Sequence, residues 1–160
     1  MDICNSNREE ENFAKRITGL TLDELGTIID YQVPLKDTLA DKGLGKIDLI
    51  SYNKEHNTMF LIELKYKGNK ETLLRSILES YTYYKLIDKI KLKNDFFSKL
   101  GNMNSDDIII LPAVLVVPNC NPYDELEDME IGNRPKLKAL SLALGIKFFT
   151  LDFSIYETLL

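Results

Sequence analysis

Glu63 and Lys65 stand two residues apart in the run LIELKY. In a strand that spacing sends both side chains to one face, while Ile62, Leu64 and Tyr66 point to the other. A carboxylate and an ammonium then project side by side. Asp48, in GKIDLIS, interrupts a second apolar run, and a buried carboxylate without a partner is strongly disfavoured. If the two segments form a hairpin in which Tyr52 faces Met59, Asp48 faces Glu63, and the two acids repel unless they share a hard cation through their oxygens. A register one residue different puts Asp48 opposite Ile62 and separates the acids onto different faces. The connecting NKEHN does not choose between the two.

A third acid comes from the start of the chain. Residues 8–17 read as a short helix, Glu-rich in its first turn, with Phe13, Ala14 and Ile17 at helical spacing and Gly19 beyond its end. Glu10 lies on the same face as those three apolar residues, whereas Glu9 and Glu11 flank it. Glu10 is therefore the acid of that helix placed to join Asp48 and Glu63.

The elements that must position these residues follow from periodicity. Three runs, GTIIDYQVPL, GKIDLISY and TMFLIELKY, are separated by KDTLADKGLG and NKEHN and suggest a three-stranded meander over 26–66. Residues 71–88 read as a helix with Leu74, Ile77, Leu78, Tyr81 and Ile87 as its apolar stripe and an i,i+4 pair of Arg75 and Glu79. DIIILPAVLVVP is too uniformly apolar for a half-exposed strand and suggests one buried on both faces, with Pro112 marking a bulge or edge. A helix over 135–144, with proline first and Gly145 after it, precedes a last strand, IKFFTLDF. The expected order is αβββαβαβ: one α/β domain with a mixed β-sheet flanked by helices. The apolar ending IYETLL is compatible with continuation into further sequence, so truncation at the C-terminus stays open.

Composition limits the function classes. The 160 residues, 44% hydrophobic and 28% charged, suit one domain. No run approaches the roughly 18 apolar residues of a membrane span, and MDICNSNREEEN lacks the regions of a signal peptide. No membrane partner is expected. Cys4 and Cys120 form no CxxC or Cys/His cluster, which fits a reducing, cytoplasmic location. Twenty basic against twenty-five acidic residues, a net charge of -5, argues against a strong nonspecific grip on nucleic acid. There is no GxSxG, no P-loop and no cysteine with a plausible histidine partner. His56, the single histidine, falls in the expected turn, and the acidic run DELEDME reads as a solvated loop.

An acidic helix, GKID with Asp48, ELK with Glu63 and Lys65, and a following helix, in αβββαβ order, resemble the PD-(D/E)XK nucleases over residues 8–118. GLGKIDLIS and FLIELKYKGNKETLLRSILESYTYYKLID are also similar to a group of uncharacterised bacterial proteins placed in that superfamily. The resemblance implies a restriction-endonuclease-like core and metal-assisted phosphodiester hydrolysis. Asp48, Glu63 and the Leu64 carbonyl would hold Mg²⁺ or Mn²⁺, with Glu10 supporting directly or through water and Lys65 near the attacking water. It implies nucleic acid as substrate, DNA ahead of RNA, and a homodimer by analogy. Two departures stand out: Ile47 replaces the proline before Asp48, and ESYTYYK replaces the QxxxY of some subfamilies, which leaves the subfamily open.

Lys67, Lys70 and Arg75, with Lys85, Lys89, Lys91 and Lys93, form a basic stretch suited either to phosphate contacts or to a solvated helix face. Tyr81 and Tyr84 point toward the core by helical spacing, leaving Tyr83 more exposed. Three readings follow: a metal-dependent nuclease; a non-catalytic module of the same fold that binds nucleic acid or protein; and a structural network in which Lys65 neutralises Asp48 and Glu63.

Overall fold

The computed structural model describes residues 3–35, 43, 45–100 and 107–151. The strand TMFLIELK forms β4 (Thr58–Lys65), and every one of its residues is buried. Its neighbours explain this. β3 (Lys46–Asn53) pairs with it antiparallel on one side and β5 (Ile109–Val116) parallel on the other, so β4 is central and both faces need cover. Outside β3 lie β2 (Gly26–Pro34) and the two-residue β1 (Thr21–Leu22), and outside β5 lies β6 (Lys147–Thr150). The mixed sheet has six strands in the order β1-β2-β3-β4-β5-β6.

The two parallel pairings require crossovers. α2 (Leu73–Leu86) and α3 (Lys89–Leu100) lead from β4 to β5; α4 (Asn121–Glu130) and α5 (Pro135–Ala143) lead from β5 to β6. α1 (Ile3–Ile17) packs Phe13, Ala14 and Ile17 against Ile28, Leu49, Ile62, Leu64 and Leu115 on one face of the sheet. On the other, Leu92 and Phe96 of α3 meet Ile50, Met59, Leu61 and Ile110. Farther along, Leu73 and Ile77 of α2 join Leu126 and Met129 of α4 over Val114 and Val116. Among the described residues, no helix is long and apolar enough to cross a membrane.

The α/β class, the meander and the last helix agree with the sequence reading, but the order is αββββααβααβ rather than αβββαβαβ. β1 is too short to show periodicity. α3 buries Leu92 and Phe96 amid lysines, too sparse a stripe to stand out. The run DELEDME lies in helix α4 and not in a loop; only Pro122, Leu126 and Met129 of that helix are buried.

α2 is also rotated from the expected stripe. Leu73, Ser76, Ile77 and Ser80 face inward, while Leu74 and Leu78 are 43% and 46% exposed. Small serines let the helix approach the sheet closely, and Ser80 Oγ donates to the Ala113 carbonyl at 2.9 Å. Tyr81, Tyr83 and Tyr84 are all half-buried, so none is singled out by exposure. Pro112 marks no bulge: the β4–β5 register runs unbroken through Leu61↔Pro112, and β6 begins to pair one residue later, at Ala113. The missing N–H falls where β5 has no β6 partner.

Gly26 opens β2 at φ +79°, and a Cβ there would overlap the backbone of Tyr52 and Asn53. Gly26→Ala is expected to lose roughly 3 kcal/mol in urea denaturation, since both the left-handed conformation and the close approach exclude a side chain.

Candidate functional site

The β3–β4 register is the one that brings the acids together. Tyr52 pairs with Met59, and the ladder runs back to Leu49↔Ile62, which sets Asp48 against Glu63. Turn residues 54–57 close the hairpin, with Tyr52 Oη donating to Asn57 at 2.8 Å. Pairing ends at Leu49↔Ile62, and the strands part at the acidic pair. Asp48 Oδ2 instead accepts the Leu64 backbone N–H at 2.9 Å. The Lys65 carbonyl turns toward β5, where it accepts from Val117 N–H at 3.1 Å. Alternation along the strand therefore aims both the N–H and the carbonyl of Leu64 at the Asp48 side.

Glu10 arrives from α1, its Oε2 accepting the Tyr66 N–H at 3.1 Å, while Glu9 and Glu11 are exposed. Three acids from three elements thus gather at the end of the β3–β4 opening. The cation inside it is Lys65. Its side chain is 5% exposed, and its Nζ lies 2.8 Å from Glu63 Oε1 and 3.2 Å from Glu79 Oε2, with Glu71 as third partner. All three ammonium hydrogens have carboxylates to meet. Arg75 closes the outer rim, its Nε 2.9 Å from Glu79 and 3.4 Å from Glu71.

Negative charge exceeds what these cations neutralise. Burial, then the nearby Asp48 charge, pushes Glu10 up to about 7. Burial pushes Asp48 up to about 6 against the hydrogen bond from Leu64, the Lys65 charge and the amide of Gln32. Glu63 sits well above the usual carboxylate range, through burial and then Asp48. Lys65 is held charged because Glu63, Glu71 and Glu79 outweigh its burial. Glu63 Oε2 is buried and receives no hydrogen from any donor. The Glu79 carboxyl lies within hydrogen-bonding reach of the Glu63 carboxyl, and two carboxyls meet stably only around a shared proton or a cation.

These shifts fix a pH dependence. Glu10 and Asp48 have folded values, about 7 and about 6, above their ordinary values of 4.5 and 3.8. Their contribution to stability is therefore complete below about pH 4 and is lost as pH rises through about 6 to 7. Thermal melts in chelator should show wild type losing stability between about pH 5 and about pH 8, with Glu10→Gln losing less; an equal loss in both would remove Glu10 as a source.

Among the described residues, no three Asp, Glu, His or Cys side chains form a group that could hold an ion by themselves. Asp48 and Glu63 offer two carboxylates, and Mg²⁺ commonly takes one or two with water and substrate phosphates completing its shell. A Glu63 oxygen without a donor, and a Leu64 carbonyl on the Asp48 side of the strand, fit such a two-carboxylate site.

Of the expected phosphate-binding residues, only Arg75 adjoins the Lys65 network, and both acids beside it engage its guanidinium. Lys67 and Lys70 are exposed, and Lys67 lines a depression with Glu9, Asn12 and Arg16 on the α1 side. His56 is exposed in the hairpin turn, at the opposite end of β4 from Glu63. Sequence reasoning missed Glu71, Glu79 and Gln32 as members of the site. For the two glutamates the available signal was the lysine of an apolar strand, which requires several acids once buried. For Gln32 it was a polar residue interrupting GTIIDYQVPL. No protein-family model, curated protein or solved structure matches this chain.

Proposed function

We propose that this chain is a Mg²⁺- or Mn²⁺-dependent phosphodiesterase acting on nucleic acid, built on a restriction-endonuclease-like core. The observation that carries the reading is the juxtaposition of the Asp48 and Glu63 carboxylates, one Glu63 oxygen buried without a donor, where β3 and β4 part. Asp48, Glu63 and the Leu64 carbonyl would hold the ion, with Glu10 supporting from α1. A divalent ion bound there polarises a phosphate and lowers the pKa of a bound water.

The chain's own residues supply the rest. Lys65, held by Glu63, Glu71 and Glu79, presents a positive charge beside the acidic pair, and on release from one of these acids it would orient the attacking water and face charge developing on the phosphate. Arg75, Glu79 and Tyr83 line a groove of about 310 Å³ along α2 with Thr72, Leu74, Leu78 and Thr82, and Glu79 there is also a partner of Lys65. DNA ranks ahead of RNA, and pairing of two chains is included, on the family resemblance alone.

The test is incubation with single- and double-stranded DNA and RNA, each with Mg²⁺, with Mn²⁺ and with chelator. Metal-dependent cleavage of at least one substrate is expected; four intact substrates under every condition would defeat the reading. One observation favours a second, non-catalytic reading: Lys65 already has three carboxylate partners, as in a finished structural network. That reading expects neither cleavage nor metal affinity beyond nonspecific background.

A further inference from the structure

Gln32 stands directly opposite Asp48 in the β2–β3 ladder, between the pairs Tyr31↔Leu49 and Val33↔Ile47. It owes that place to an irregularity. Ile28 pairs with Ser51 but Asp30 with Ile50, so β2 carries one extra residue at Ile29. Without that bulge, Tyr31 would face Asp48. A bulge re-aims every later side chain of its strand, and here it delivers an amide to the carboxylate: Gln32 Nε2 donates to Asp48 Oδ1 at 3.2 Å.

The backbone is unusual at the same residue. Gln32 has φ 51°; the other described non-glycine residues with positive φ, Asn57 and Asn119, are asparagines, which tolerate that region far better. Side-chain alternation also breaks here. Tyr31 and Leu49 pack on the α1 side, whereas Val33 and Ile47, two residues on, pack with Leu92 and Phe96 on the α3 side. Strain of this kind persists where the surroundings over-determine it, commonly at functional sites.

We propose that Gln32 is a positioning residue whose amide fixes the Asp48 carboxylate for a divalent cation, with the bulge and the left-handed backbone serving that placement. With Oδ2 on the Leu64 N–H and Oδ1 on Gln32, the carboxylate is held at both oxygens and its remaining lone pairs have one orientation. The inference rests on Asp48 being a cation ligand. Partners that orient a ligand in this way are commonly worth about 10- to 100-fold in metal affinity.

The experiment is Mn²⁺ titration and thermal melting of the full chain as wild type, Gln32→Gly and Gln32→Ala. Both variants lose the amide, so both should bind Mn²⁺ about tenfold or more weakly than wild type. Glycine also relieves the left-handed backbone, so Gln32→Gly should melt above Gln32→Ala. A stable protein with weakened Mn²⁺ binding is the signature of positioning, because a purely structural residue would change melting and leave affinity alone. Wild-type affinity in a folded Gln32→Gly would overturn the role of Gln32 while leaving the metal site standing. Absence of Mn²⁺ binding by wild type would overturn the metal site and this role with it.

Discussion

Asp48→Asn is expected to lower the cleavage rate roughly 1000-fold while leaving the protein folded and at least as heat-stable as wild type. The rate follows from the proposed ion: several kcal/mol of transition-state stabilisation would disappear with it, at about 1.36 kcal/mol per factor of ten. The stability follows from the site. Asparagine has the same shape and keeps an oxygen for the Leu64 N–H that Asp48 accepts at 2.9 Å. Burial pushes Asp48 up to about 6, so at neutral pH its charge works against folding in the absence of a cation. Steady-state cleavage and a thermal melt of the same preparation check both halves. A variant that loses activity and several degrees of stability together would mark Asp48 as a structural residue.

Lys65→Met is expected to destabilise the metal-free protein by about 3 kcal/mol, the usual consequence of removing one member of a buried ion pair. Glu63, with its side chain 7% exposed, would lose its cation and still face Glu79. Adding Glu63→Gln to Lys65→Met should restore part of the loss, because the two changes act on one interaction. Urea denaturation with and without Mn²⁺ separates the two views of this lysine. If the acids form a cation site, millimolar Mn²⁺ stabilises Lys65→Met by binding the folded state alone. In a closed structural network, Mn²⁺ leaves the denaturation midpoint unchanged.

The pairing of Asp48 with Glu63 was one of two registers left open by the sequence, and a strand has only two faces, so the register alone decides it. Once Tyr52 meets Met59, Asp48 is carried opposite Glu63, and apolar alternation in LIELKY puts Lys65 on the same side. Helical spacing likewise singled out Glu10 from its neighbours. What alternation does not encode is the exception to it. The extra residue at Ile29 and the left-handed backbone of Gln32 have no signature in GTIIDYQVPL, where Gln32 shows only as a polar interruption, yet they determine which side chain touches Asp48.

Glu71 and Glu79 were hidden for a different reason. Their tie to Lys65 depends on how α2 is turned on the sheet, and that is set by Ser76 and Ser80 facing inward. Leucine content alone points the helix the other way. α3 and α4 were obscured because a helix packed on one side of a sheet needs only two or three apolar residues, which lysines in one and acids in the other conceal.

Calorimetric titration of Mn²⁺ into wild type, Asp48→Asn and Glu63→Gln, all confirmed folded, bears most directly on whether the acidic opening is a cation site. Saturable binding by wild type, weakened about tenfold or more in each variant, is the expected result. Equal binding by all three proteins, or none by wild type, would mean that Asp48 and Glu63 are held together by Lys65 and a shared proton, with no role for a metal.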